Sequence, residues 1–189
     1  MTGLPAPVPA LPQTVIVLDV VGSGRGPNSW PVEIGVAIAE GEAITRCESR
    51  LIRPHPEWSE DAWDEESARD HGIARDALDG ATAPKEVAGW LLDLLAGRRC
   101  WSDAAMYHRY WLNALTAPTG QGLGAVLLDD FDDALMAAFG SDQLGLAAIR
   151  AVWGHVEGAP AVHRASVGAR VLAEGWLAGR QVMVEETVG

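Results

Sequence analysis

The sequence predicts an α/β domain: a mixed five-stranded sheet whose first three strands are antiparallel, flanked by helices. Three observations carry that prediction. Thr14-Val-Ile-Val-Leu-Asp19-Val-Val21 is an apolar run with a single acid near its end, the pattern of a strand buried on both faces. Two further β-rich stretches follow at hairpin spacing. From residue 83 onward, helical periodicity alternates with short strand-like pieces. At 189 residues the chain is long enough to bury one full core, and no repeat or long linker divides it.

The elements follow in order. Residues 1–13 hold four prolines and read as an extended, flexible leader, without the basic start and apolar centre of a secretory signal. After the first strand, Gly22-Ser-Gly24-Arg-Gly26-Pro-Asn28 is a turn cluster. Val32 to Ala39 reads as the second strand, Glu40-Gly-Glu42 as a hairpin turn, and Ile44 to Ile52 as the third strand. Ser59 to His71 is a charged, Trp-bearing helical stretch in which Ser59 and Asp61 offer N-terminal capping. Ala83 to Gly97 is an amphipathic helix, with Pro84 suited to its first turn and Gly97 to its stop. Arg99 to Asp103 is the fourth strand, and Tyr107 to Leu115 a helix with Tyr107, Trp111 and Leu115 on one side. A Gly/Pro/Thr loop over 116–124 precedes the last strand, Val126 to Asp129. Helices are then expected over Asp132–Phe139, Leu144–Val156 and Val167–Leu177, which bounds a single domain at 14–180 with a tail over 181–189.

Composition narrows the function classes. Acids outnumber bases 26 to 14, for a net charge of −12. Coating of duplex nucleic acid draws on phosphate neutralisation by Lys and Arg, so this balance argues against it. A narrow channel lined by a few arginines is still compatible, because local field outweighs total charge. No apolar run reaches the roughly 20 residues of a membrane helix, so a cytoplasmic, membrane-free protein is expected. Cys47 and Cys100 are the only cysteines, which gives no zinc-ligand spacing and no disulfide framework.

Six segments, in order, resemble the DEDDh 3′–5′ exonucleases. Val15-Ile-Val-Leu-Asp19-Val-Val21-Gly-Ser-Gly24 is similar to the first motif, a strand ending in Asp-x-Glu before a Gly-containing turn. Val32-Glu33-Ile-Gly-Val-Ala and Leu51-Ile-Arg-Pro54 resemble the second and third strands. His71-Gly72-Ile73, with Asp76 and Leu78, resembles the segment before the family's long helix. Ser102-Asp103-Ala-Ala-Met-Tyr-His108, with Trp111-Leu112, resembles the second motif. His163-Arg164-Ala165 through Ala169-Arg170 resembles the third, His-Arg-Ala-x-x-Asp-Ala. The resemblance spans residues 15–177 and implies an RNase H-like fold.

It also implies a chemistry that this chain only partly carries. The family holds Mg²⁺ or Mn²⁺ between four acids and uses a histidine to activate water. Carried over by position, the acids fall on Asp19, Val21, His108 and Gly168, and the base on His163. Valine and glycine supply no ligand, and an imidazole suits Zn²⁺ or Mn²⁺ better than Mg²⁺. Asp19 alone is expected to hold metal weakly, with His108 and Asp103 as candidate additional ligands. No tightly bound cofactor is expected, and Mg²⁺ or Mn²⁺ only if the chain is active. Competing readings stand beside these: Asp19 as a solvated acid, His163 as a surface or packed histidine, and Glu33 as a structural residue. Trp30, Trp58 and Trp63 lie in polar stretches and are candidates for ligand contact, whereas Trp90, Trp101, Trp111 and Trp176 read as core.

The expected function is therefore an exonuclease-like domain impaired in catalysis that binds nucleic acid or serves structurally, with single-stranded DNA or RNA as a weak partner. Two alternatives are an active 3′–5′ exonuclease on a rearranged ligand set, and a protein-interaction module with an unknown partner. A homodimer is an expectation by analogy with relatives.

Overall fold

The computed structural model describes residues 11–120 and 124–188. Its sheet contains β1 (Thr14–Gly22), β2 (Pro31–Glu40), β3 (Ala43–Leu51), β4 (Cys100–Ser102) and β5 (Leu128–Asp130), in the order β3-β2-β1-β4-β5. The first three strands are antiparallel, while β4 runs parallel to β1 and β5 parallel to β4. This is the mixed sheet the sequence predicts, with β1 at its centre. The last strand lies two residues later than Val126 at its start, because Leu128 is the residue that pairs with Cys100.

Among the described residues, six α-helices cover the two faces: α1 (Glu65–His71), α2 (Pro84–Leu95), α3 (Ala105–Thr116), α4 (Phe131–Phe139), α5 (Gln143–Gly158) and α6 (Ala165–Val188). Strand alternation assigns the faces. Ile16, Leu18 and Val20 pack with Ile34, Val36 and Ile38 against Val87 and Leu91 of α2 and Leu112 and Leu115 of α3. Val15 and Val17 face the other way, with Ala37 and Ala39, against Phe131, Leu135, Val152, Leu172 and Trp176 of α4, α5 and α6. Asp19 is in phase with Val15 and Val17, so β1 delivers it to the α6 side.

Helix ends refine the sequence reading. Capping before α1 comes from Asp64, whose carboxylate accepts from the Glu66 and Ser67 amides, and not from Ser59 or Asp61. The Ser59–Asp61 stretch instead leads into a single 3₁₀ turn, Glu60–Ala62. The chain leaves α2 through Ala96, itself left-handed at φ 48°, one residue before the expected Gly97. α6 does not stop at Leu177, and the expected tail over 181–189 is helical as far as Val188, with Val182 and Met183 packed on the second core. The leader boundary also moves. Residues 1–10 lie outside the described residues, but Leu11 packs on that same core and the Pro12 carbonyl accepts from Arg180 at 2.6 Å. Among the described residues, no helix is long and apolar enough to cross a membrane.

Candidate functional site

The start of α6 is set against the sheet by a buried ion pair. Glu33, buried on β2, accepts from Arg164 Nε at 2.8 Å and Nη2 at 2.9 Å, from the Ala165 amide at 3.0 Å, and from Ser49 Oγ at 2.9 Å. Burial pushes the Glu33 pKa up, but these donors outweigh it and hold the carboxyl below its ordinary value. Gly35 lets the helix lie flush on β2, since a Cβ there would come within 2.1 Å of the Ala165 carbonyl oxygen. Glu33 is thus structural, and it positions the segment that carries His163 and Gly168.

Asp19 meets α6 at Gly168. A Cβ at residue 168 would stand 2.0 Å from Asp19 Oδ2 and 2.9 Å from its Cγ. The Asp19 carboxylate therefore fills the space that a side chain at residue 168 would take. Its side chain is only 21 % exposed, and Oδ1 accepts from the Val20 amide at 2.8 Å. Burial first, and the charge of Asp103 second, push its pKa up to about 7, against the opposing hydrogen bond from Val20.

His108 lies in the first turn of α3 and is buried against Trp111, with ring centroids 5.8 Å apart and planes 28° from parallel. Its Nδ1 is 2.6 Å from the buried Ser102 Oγ, and its Nε2 is 3.5 Å from Asp19 Oδ1, too long for a hydrogen bond. Burial lowers its pKa to about 4, so the ring is neutral at pH 7. Asp103, the residue just after β4, completes the group: one donor atom each from Asp19, Asp103 and His108 lie within 4.8 Å of one another. Burial, then the Asp130 charge, raises the Asp103 pKa.

The other predicted positions are brought near but add no ligand to this group. Val21 packs with Leu51, Trp58, Ala62 and Trp63 in a small apolar cluster around Trp30. His163 is exposed just before α6 and lines a cavity of about 220 Å³ together with Asp19, Val21, Trp111 and His71. His71 is the residue that sequence reasoning missed. It is buried, its Nδ1 accepts from the Ile73 amide at 3.1 Å, and its Nε2 has no hydrogen-bond partner among the described residues. Since Nδ1 accepts, the proton of the neutral ring sits on Nε2. The signal was the His71-Gly72-Ile73 segment, which the resemblance offers only as the stretch before a long helix and not as part of the site.

Donors arranged in this way do not fit a pair of magnesium ions. A cation pair needs several carboxylates spread around it. Here Val21 is an apolar contact, His108 a buried imidazole and Gly168 has no side chain, which leaves Asp19 and Asp103 as the carboxylates of the group.

A second cavity, of about 440 Å³, adjoins the first through shared walls at Arg25 and Trp111. Met106, Tyr107 and Tyr110 line it, and Tyr107 is 61 % exposed. The face of α3 thus differs from the predicted one: Ala105, His108, Leu112 and Leu115 are buried, while Tyr107 is outside. The tryptophans also sort differently. Trp30 is buried at 1 % exposure and stacks between Trp58 and Trp63 at 5.8 and 5.7 Å, so it is core and no ligand platform. Trp111 packs against the first core, as its core reading has it, and its other side walls both cavities.

No protein-family model and no curated protein matches the sequence. Solved structures share its fold. A 3′-exonuclease described in 3′-end specific recognition of a histone mRNA stem-loop superposes with a TM-score of 0.65 at 13 % identity, over 91 % of this chain and 64 % of that one. A zinc-bound E. coli ExoI–ssDNA complex matches at TM-score 0.66 and 10 % identity, over 90 % of this chain and 41 % of that one. Apo exonuclease I matches at TM-score 0.64 and 11 % identity, over 92 % and 44 %. This chain spans no more than 64 % of the length of any of these three. At such identities the likeness establishes architecture, and the chain has the RNase H-like fold of 3′-exonucleases.

Proposed function

We propose that this chain is an exonuclease-fold domain that holds single-stranded nucleic acid without efficiently cleaving it. The observation that carries this reading is the Asp19 carboxylate lodged in the space above Gly168. With Val21 and His108 at two further acid positions, only Asp19 and Asp103 bring carboxylates to the site, too few to surround a cation pair, and most of the several kcal/mol that metals contribute to phosphodiester cleavage is missing. Support for strand binding comes from the exposed Tyr107 and the half-buried Trp111 beside the Asp19 cavity, since aromatic faces stack bases without regard to sequence. The folds it shares include proteins described with a stem-loop RNA and with single-stranded DNA. The net charge of −12 makes the expected affinity weak and salt-sensitive. The test is fluorescence anisotropy of a short labelled strand in chelator, followed by product analysis after Mg²⁺ is added. Binding without shortening supports the reading. Absence of binding at low salt, or rapid shortening, overturns it.

A second reading has one observation in its favour. The grouping of Asp19, Asp103 and His108 is compatible with a working 3′–5′ exonuclease on a rebuilt ligand set, with His163 at the cavity mouth as general base. It requires that Asp19→Ala and His163→Ala each lower strand degradation by orders of magnitude. Degradation unaffected by both substitutions belongs to a contaminant.

A further inference from the structure

We propose that Asp19, Asp103 and His108 form a site for a single transition-metal cation of the zinc class, built where a magnesium pair no longer fits. From the functional reading above, the inference takes only the loss of that pair. It does not depend on nucleic-acid binding.

The donor set selects the metal. One imidazole nitrogen and two carboxylates suit Zn²⁺ or Co²⁺, whereas Mg²⁺ asks for octahedral oxygen ligation. Two ligands about 2.0–2.1 Å from a tetrahedral zinc lie about 3.4 Å from each other. Asp19 Oδ1 and His108 Nε2 are 3.5 Å apart, so these two donors already hold that spacing. All three donor atoms lie within 4.8 Å, and Asp103, exposed at the entrance to α3, has the freedom to close the remaining distance.

Ser102 supplies the independent observation. A metal-bound histidine needs its second ring nitrogen held by a partner that fixes tautomer and orientation. Ser102 Oγ sits 2.6 Å from His108 Nδ1, inside the protein, at the end of the strand that leads directly into Asp103. Accepting the Nδ1 proton there leaves the Nε2 lone pair directed at Asp19. Trp111 stacks on the same ring and limits its rotation. The site thus has an oriented neutral imidazole, a carboxylate held in place by α6, and a third carboxylate open to solvent. Three protein ligands leave one tetrahedral position for water or a phosphate oxygen.

The test uses the full chain, stripped with chelator. Co²⁺ is titrated while visible absorption is recorded, zinc is then added in competition, and Mg²⁺ is followed separately by calorimetry. The expected result is one equivalent of Co²⁺ with the intense bands of four-coordinate cobalt, displaced by stoichiometric zinc and unaffected by equimolar Mg²⁺. Ser102→Ala is expected to weaken zinc about 10- to 100-fold. Asp103→Asn, a surface change that leaves the core intact, is expected to remove the four-coordinate bands, as is His108→Gln in protein whose circular dichroism matches wild type. A folded wild type without cobalt bands overturns the proposal. Bands that persist in Asp103→Asn, or equally tight Mg²⁺ binding, overturn it as well. These readouts are separate from strand binding and degradation, so this inference and the functional reading fail independently.

Discussion

Asp19 Oδ2 stands 2.0 Å from the point where any side chain at residue 168 would begin. Gly168 and the orientation of Asp19 therefore form one arrangement: adding an atom to the first requires the second to move. In Gly168→Ala, better helix propensity contributes about 1 kcal/mol, and displacing a partly buried carboxylate opposes it by about 1–3 kcal/mol. A net loss of about 1 kcal/mol is expected in denaturant unfolding. A clear gain would show that Asp19 rotates away freely.

The raised pKa of Asp19 makes a signed prediction. Between its unfolded value of 3.8 and its folded value of about 7, the folded chain holds a proton that the unfolded chain has released. The contribution of Asp19 to stability therefore falls as pH rises through that window and is flat above it. His108, lowered to about 4, has the opposite slope between about 4 and 6.5, so the two nearly cancel in wild type. Asp19→Asn removes only the falling limb. Its stability relative to wild type is expected to climb from pH 4 to 7, by a few kcal/mol at most. Thermal unfolding of the two proteins across that range checks it, and a constant difference would count against a buried, protonated Asp19.

Arg164 covers the buried Glu33 carboxylate with two donors, so its removal leaves a charge with only Ser49 and one amide. Arg164→Ala is expected to cost about 3 kcal/mol. Because α6 docks through this contact, the Asp19–Gly168 arrangement is expected to loosen with it. Amide exchange at the first turn of α6 reports this directly, and unchanged protection there would show that Gly35 packing alone seats the helix.

Tyr107 touches solvent over most of its surface and contributes little to folding. If bases stack on this wall, Tyr107→Ala removes about 1–3 kcal/mol of strand binding. That is a weakening of about 5- to 150-fold in anisotropy titrations, with the unfolding midpoint unchanged. Equal affinity of the variant and wild type would place the strand elsewhere.

Much of the fold was legible because its signals are local. The apolar run through Asp19, the Glu40-Gly-Glu42 turn and the Pro84 helix start each depend on neighbours in sequence. The sequence misled where burial depends on distant partners. Trp30 sits in a polar stretch, yet Trp58 and Trp63 close over it. Tyr107 was placed with Trp111 and Leu115 as an apolar face, but the helix turns inward at His108, a polar residue that becomes buriable once Ser102 meets its Nδ1. Val182 and Met183 carry the last helix past its expected end because α6 overhangs a core they help to cover. At the site, comparison by position named Asp19 and His108, and Asp103 entered separately as a candidate substitute carboxylate. It did not reveal that the Asp19 carboxylate occupies the space beside residue 168, nor that buried His71 lines the same cavity. Both are relations through space between residues whose types alone carry no signal.

On the function proposed above, the scaffold remains while efficient metal-dependent cleavage does not. The most direct measurement follows a 5′-labelled single strand with Mg²⁺ or Mn²⁺, using wild type and Asp19→Ala purified side by side. The account predicts no degradation that depends on Asp19. Rapid shortening by wild type that disappears in Asp19→Ala would contradict it, and would mean that the rebuilt ligands support catalysis.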